Sequence, residues 1–207
     1  MDSLPAVLAG QFSQLSIYEL SAVLLAVAYL LFAIWQSIWC WLCAAISTAI
    51  YVYLFMQTKL YMESLLNAFY FGMAIYGWRV WKKGSGDLAE LSVSVWPLRT
   101  HIFAMAAIAT LSLATGYLLA RYTDAVYPYI DSMTTYAAVW ATYLLIRKVL
   151  ENWWYWLAID LVSIVIYWSR ELPFTSFLFV IYVLLIPFGL AAWTRSYRAT
   201  RLIAAPA

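Results

Sequence analysis

One carboxylate in this sequence stands where a carboxylate is costly. Asp160 lies in the middle of Glu151 to Trp168, ENWWYWLAIDLVSIVIYW, an otherwise apolar and aromatic run. About 18 residues of helix, at about 1.5 Å each, nearly cross a hydrocarbon core of roughly 30 Å, so Asp160 is expected near the bilayer midplane. A charge there costs about 3 kcal/mol even on lenient insertion scales, so it is expected to face a cavity or a partner. Trp156, Asp160, Ser163 and Tyr167 follow one another at helical spacing and share one face. An acidic face walled by rings has the chemistry to hold a cation. Protonation or a cross-helix hydrogen bond would satisfy the same carboxyl in a purely structural role.

A second polar face precedes it in the chain. Glu63, Asn67, Tyr70 and Ala74 fall at i, i+4, i+7 and i+11, with Glu63 near the end of its span. Glu63 could equally face water or pair with Lys59 four residues earlier. Asn67 and Asn152 could serve as helix-to-helix glue, a common use of polar side chains in membranes.

The elements that must position these residues are membrane helices. Of 207 residues, 66% are hydrophobic and 11% charged, too apolar a balance for a soluble globular domain. Aromatic residues make up 19%, more than lipid-facing belts need, so some rings are expected to line a site. A net charge of +2, with no basic patch interleaved with aromatics, excludes a nucleic-acid binder. Cys40 and Cys43 form a CxxC inside an apolar helix and read as packing rather than as a redox pair. His101 has no Cys or carboxylate at ligand spacing, so no metal site is expected. The N-terminus lacks the basic region of a signal peptide, so the first helix is expected to be retained.

Hydropathy predicts seven spans, near 17–35, 38–56, 60–81, 99–120, 129–148, 152–169 and 174–194. Lys82, Lys83, Gly84 and Gly86 break the chain before the alternating LSVSV and Pro97, a segment expected to lie at the interface. Arg147 and Glu151, four apart, are expected to pair there. Pro187 and Gly189 lie within the seventh span, where they could mark a bend. Arg79, Lys82, Lys83, Arg99, Arg147, Lys148, Arg195, Arg198 and Arg201 fall on one side of the membrane, and only Lys59, Arg121 and Arg170 on the other. The rich side is therefore expected to be cytoplasmic, with the N-terminus periplasmic.

Sliding the chain against itself by 115 residues places Trp39, Trp41 and Leu42 on Trp154, Trp156 and Leu157, and Trp78 on Trp193. In this register Ala22, Ala26 and Leu30 meet Ala137, Ala141 and Leu145, while Asp160 meets Ala45, Ser163 meets Thr48, Glu63 meets Leu178 and Asn67 meets Tyr182. The predicted fold is an all-α integral membrane protein of seven transmembrane helices, two parallel three-helix repeats joined by a linker helix. This 3+1+3, SWEET-like plan binds substrate near the midplane between repeats. It assigns residues 1–16 to an N-terminal segment, 17–81 to the first repeat and 82–98 to a cytoplasmic loop. The linker helix is 99–120, the second repeat 129–194 and the tail 195–207.

The YGWxxW ending of the third span, Tyr76, Gly77, Trp78 and Trp81, and the ENWxxW entry to the sixth, Glu151, Asn152, Trp153 and Trp156, carry a family resemblance. With both repeats, the chain resembles the PnuC-type vitamin transporters of bacterial inner membranes. The resemblance implies a homotrimer embedded in membrane lipid and facilitated diffusion of an unphosphorylated vitamin that a cytoplasmic kinase then traps. It implies no cofactor. Members divide by substrate among nicotinamide riboside, thiamine, riboflavin and deoxynucleosides. Where many nicotinamide riboside members carry Gln in the third span before the Tyr, this chain has Asn67.

Thiamine has a thiazolium and nicotinamide riboside a pyridinium, and both cations suit an acidic, aromatic pocket better than neutral riboflavin. Thiamine is the expected substrate of this PnuT-like branch, with nicotinamide riboside as the alternative. Asp160 and Glu63 are expected to attract the cation, Asn67, Asn152 and Ser163 to orient it, and Trp156, Tyr70 and Tyr182 to stack on it. An intramembrane carboxylate also suits a proton relay, so a proton-coupled transporter is a second reading. A non-transporting membrane subunit is a third. No convergent nucleophile, base and metal-ligand set suggests an enzyme.

Overall fold

The computed structural model describes residues 17–57, 61–84, 91–169 and 173–204, leaving out the side chains of residues 19, 61–63, 84, 174, 203 and 204. Seven helices account for nearly all of them: α1 (Ile17–Ile34), α2 (Trp39–Gln57), α3 (Tyr61–Gly84), α4 (Leu98–Tyr122), α5 (Pro128–Ile146), α6 (Asn152–Ser169) and α7 (Pro173–Ala204). The protein is all-α and membrane-embedded. Helices α2 and α4 and the stretch Thr175–Leu202 of α7 are each long and apolar enough to cross a bilayer. Leu20–Ile34 is a shorter apolar helix.

The helix ends follow from local chemistry. Pro128 occupies the first turn of α5, where its missing N–H costs nothing. Extended Pro97 precedes α4, and its carbonyl accepts from the Thr100 N–H at 2.9 Å. The α1–α2 and α5–α6 connections each turn on one left-handed residue, Gln36 at φ 55° and Lys148 at φ 50°. Around both residues the backbone bonds match: Ser37 N–H donates to Phe32 O, and Val149 N–H to Leu144 O, each at 2.9 Å.

These two turns are 112 residues apart, and the recurrence extends through the fold. Ser64 donates to Val52 O at 3.1 Å, and Ser176 to Ile164 O at 3.0 Å. The Trp41 and Trp81 rings meet edge-on at 5.4 Å, as do those of Trp153 and Trp193 at 5.6 Å. Gly77 lies against the Trp41 ring and Gly189 against that of Trp153. Helix pairing repeats as well, since α1–α2, α2–α3 and α1–α7 correspond to α5–α6, α6–α7 and α3–α5, with α4 packed on α5.

The internal repeat thus exists at an offset of 112, not the 115 read from the sequence. Trp78 and Trp81 are three apart, as are Trp153 and Trp156, so a slip of three residues still puts Trp on Trp. In the observed register Thr48 matches Asp160, Cys40 matches Asn152, Tyr51 matches Ser163, Asn67 matches Phe179, Tyr70 matches Tyr182 and Thr175 matches Glu63.

Two indole bonds tie the halves reciprocally. Trp81 Nε1–H donates to Ile146 O at 2.9 Å, and Trp193 Nε1–H donates to Ala33 O at 3.0 Å. Both carbonyls lie in the last turn of a helix, where no intrahelical donor reaches them. Trp81→Phe strands the buried Ile146 carbonyl and should cost about 1–3 kcal/mol, whereas the Ala33 carbonyl keeps the Gln36 N–H at 3.0 Å when Trp193 is replaced. Trp81→Phe is therefore expected to lower the melting temperature in detergent more than Trp193→Phe does.

Several details complete or correct the sequence expectations. Helix α7 continues ten residues past the expected 194, carrying Arg195, Arg198 and Arg201 in unbroken helix. Pro187 sits inside α7, and Gly189 lies against the Trp153 indole. The LSVSV segment is tied to the α5–α6 turn: Ser94 N–H donates to Lys148 O at 3.0 Å, and Leu150 N–H to Ser94 O at 2.8 Å. Cys40 is buried in the core and Cys43 half-buried, both as free thiols. Glu151 faces His101, with Oε1 at 4.0 Å from Nε2, and does not pair with Arg147 among the described residues. His101 Nδ1 lies 3.1 Å from the Tyr155 hydroxyl, so this contact joins α4 to α6.

Candidate functional site

A cavity of about 210 Å³ opens where α1 meets α6 and α7. Helix α6 contributes Asn152, Trp153, Trp156 and Asp160, four residues clustered on one helical face. Helix α7 supplies Phe179, Tyr182 and Ile186, and α1 supplies Tyr29 and its neighbours Ala26, Leu30 and Ala33. Leu145 of α5 closes the circle. Ligand pockets commonly enclose roughly 300–1,000 Å³, so this space suits one compact molecule.

Asp160 is the polar centre of the cavity. It is the ninth residue of the 18-residue α6 and retains 3% of its accessible surface. Among the described residues, no side chain donates a hydrogen bond to it or forms an ion pair with it. The Tyr182 hydroxyl lies within electrostatic reach. Beyond Asp160, Tyr167 stacks on Phe179 at 5.3 Å and 11°, and Phe179 meets Tyr182 edge-on at 5.7 Å.

The opposite end has a fixed floor. Asn152 is fully buried; its Nδ2 donates to Val149 O at 2.6 Å, while its Oδ1 has no partner among the described residues. The Trp153 indole, held between Trp193 and Gly189, has an unpartnered Nε1. One orphan acceptor and one orphan donor therefore flank the cavity floor. Each such buried group costs about 1–3 kcal/mol, a cost that a polar ligand group can relieve.

Of the residues singled out from the sequence, Asn152, Trp156, Asp160 and Tyr182 line this cavity. Tyr70 stands behind it, with its hydroxyl within electrostatic reach of Tyr29. Ser163 is buried one turn beyond Asp160 and does not contribute to the lining. Asn67 is half-buried and also outside the lining. The Glu63 side chain and the Lys59 pairing considered for it lie outside the described residues. Sequence reasoning overlooked Tyr29, Trp153 and Phe179 as lining residues. Trp153 stood inside the ENWxxW motif, whereas Tyr29 had no polar neighbour to flag it.

Residues 16–195 match the model of the family described as nicotinamide mononucleotide transporter. The chain belongs to this family. It is 32% identical over 135 residues to the riboflavin/roseoflavin transporter RibM of Streptomyces davaonensis, a match covering 62% of each chain. It is 26% identical over 178 residues to the nicotinamide riboside transporter PnuC of Escherichia coli, covering 74% of each. A crystal structure of the vitamin B3 transporter PnuC superposes with a TM-score of 0.69 at 22% identity, over 86% of this chain and 81% of that one. The PnuC-type resemblance is thus a true family membership, and this family and fold make the chain a multi-pass membrane protein. The family and these relatives are transporters, not enzymes.

Proposed function

We propose that this protein mediates facilitated diffusion of an unphosphorylated vitamin bearing a cationic ring, taken up in the α1–α6–α7 cavity. The observation that carries this reading is Asp160, a buried carboxylate with no counter-charge among the described residues, facing a small space walled by Trp156, Tyr182, Tyr29 and Phe179. A planar cation would replace the missing partner and gain cation-π attraction from the rings. Asn152 Oδ1 and Trp153 Nε1 would bind the polar groups of the ligand at the floor. Tyr70 would act from behind Tyr29, and Asn67 and Ser163 from outside the cavity lining.

Thiamine and nicotinamide riboside both meet this description, and thiamine is placed first because Asn67 stands where riboside carriers have Gln. A riboflavin carrier is the second reading, favoured by the 32% identity to RibM. The proposed architecture is two parallel three-helix repeats, α1–α3 and α5–α7, joined by α4, assembled as a homotrimer in the bacterial inner membrane. The basic ends, with Lys148 and Arg201, would face the cytoplasm, where a kinase traps the vitamin. Tryptophan fluorescence of the purified protein, titrated with the three vitamins, tests the assignment. Saturable quenching by a cationic vitamin supports it, whereas binding of riboflavin alone would replace it with the second reading.

A further inference from the structure

The 112-residue recurrence makes it possible to ask what occupies the mirror image of the cavity. That image lies among α5, α2 and α3, and its counterparts of Asn152, Asp160 and Tyr182 are Cys40, Thr48 and Tyr70. Tyr29 is already there. Its ring is 6.3 Å from that of Trp41, the counterpart of Trp153, and its hydroxyl is within electrostatic reach of both Cys40 and Tyr70. The same hydroxyl also reaches Tyr182. A side chain close to both Tyr70 and Tyr182, a symmetry-related pair, stands near the pseudo-two-fold axis.

The counterpart of Tyr29 is Ala141, which is fully buried on α5. One helix of the matching pair thus carries a phenol ring at this position, which meets Trp41 of α2, and the other only a methyl group. The open cavity lies among α1, α6 and α7, where the Tyr29 ring forms part of the wall. We propose that the Tyr29/Ala141 pair determines which half of the space between repeats holds the ligand, and that the Tyr29 ring sets the upper size of the ligand admitted. This rests on the reading of the cavity as a vitamin site. Removing the ring joins a second half-site, with Thr48 and Tyr70 in its wall, to the first, and the enlarged space takes a three-ring flavin in place of a compact cation.

Cys40 reports on the second half-site without any vitamin. In wild type it is fully buried beside Tyr29. In the full-length protein with Cys43→Ser, mass spectrometry would follow its reaction with methyl methanethiosulfonate. Tyr29→Ala is expected to speed labelling by about tenfold or more, since thiol reactivity follows exposure, while Tyr29→Phe leaves it slow. Tyr29→Val reads the same quantity if the alanine variant does not fold. The ring-deleted variant should also bind riboflavin more tightly than wild type does. An unchanged labelling rate in a folded, monodisperse ring-deleted variant overturns the proposal. If wild type binds no cationic vitamin, the functional reading fails while the labelling result still decides the role of Tyr29.

Discussion

Asp160→Asn is expected to raise the dissociation constant of a cationic vitamin by about 30-fold or more, because truncating one partner of a buried charge pair costs about 2 kcal/mol or more. The substitution keeps the shape of the side chain and removes its charge. It also removes the cost of holding an unpaired carboxylate in the membrane, so the empty protein should be as stable as wild type or more so. This opposite movement of affinity and stability separates a binding carboxylate from a structural one. A structural Asp160 would lose stability on substitution. Equal affinity for the cation in both proteins would remove Asp160 from the site.

The second large effect concerns the frame. Gly189→Ala would put a methyl group into the Trp153 ring, and Gly77→Ala into that of Trp41. Neither indole has an alternative position, since each is also held edge-on by a second Trp. Overpacking of this kind costs about 1–3 kcal/mol. Both substitutions should therefore lower the melting temperature, but only Gly189→Ala displaces a residue of the cavity floor. Gly189→Ala is expected to weaken ligand binding more than Gly77→Ala does, at a temperature where both variants are folded. Equal losses of binding would show that the two halves do not differ as described.

The sequence revealed most where the physics is one-dimensional. Helix positions followed from hydropathy, because a run of apolar residues long enough to span a bilayer has few other uses. Asp160, Asn152, Trp156 and Tyr182 could be singled out because polar and aromatic residues inside such runs are costly or bulky. Register was harder: identities of Trp on Trp cannot distinguish 112 from 115 when the tryptophans themselves are three apart. What distinguishes them is geometry, namely the left-handed Gln36 and Lys148 and the paired Ser64 and Ser176 bonds. Ser163 shares a helical face with Asp160, but a helical face extends along the whole helix and the cavity does not. The stack of Tyr167 on Phe179 occupies the level beyond Asp160, and periodicity gives no hint of that neighbour. Tyr29 is the converse case, since it meets the cavity through α6 and α7, helices distant in sequence.

Facilitated diffusion of a cation has a thermodynamic signature that a neutral vitamin lacks. Moving one elementary charge through the membrane potential contributes about 2.3 kcal/mol per 100 mV, which corresponds to roughly 50-fold accumulation. The most direct measurement is therefore uptake of labelled thiamine, nicotinamide riboside and riboflavin into proteoliposomes, with an imposed inside-negative potassium potential and the proton gradient collapsed. Saturable uptake of a cationic vitamin that rises with the potential and needs no proton gradient is the expected result. Uptake of riboflavin alone, indifferent to the potential, or uptake abolished by collapsing the proton gradient, would contradict it.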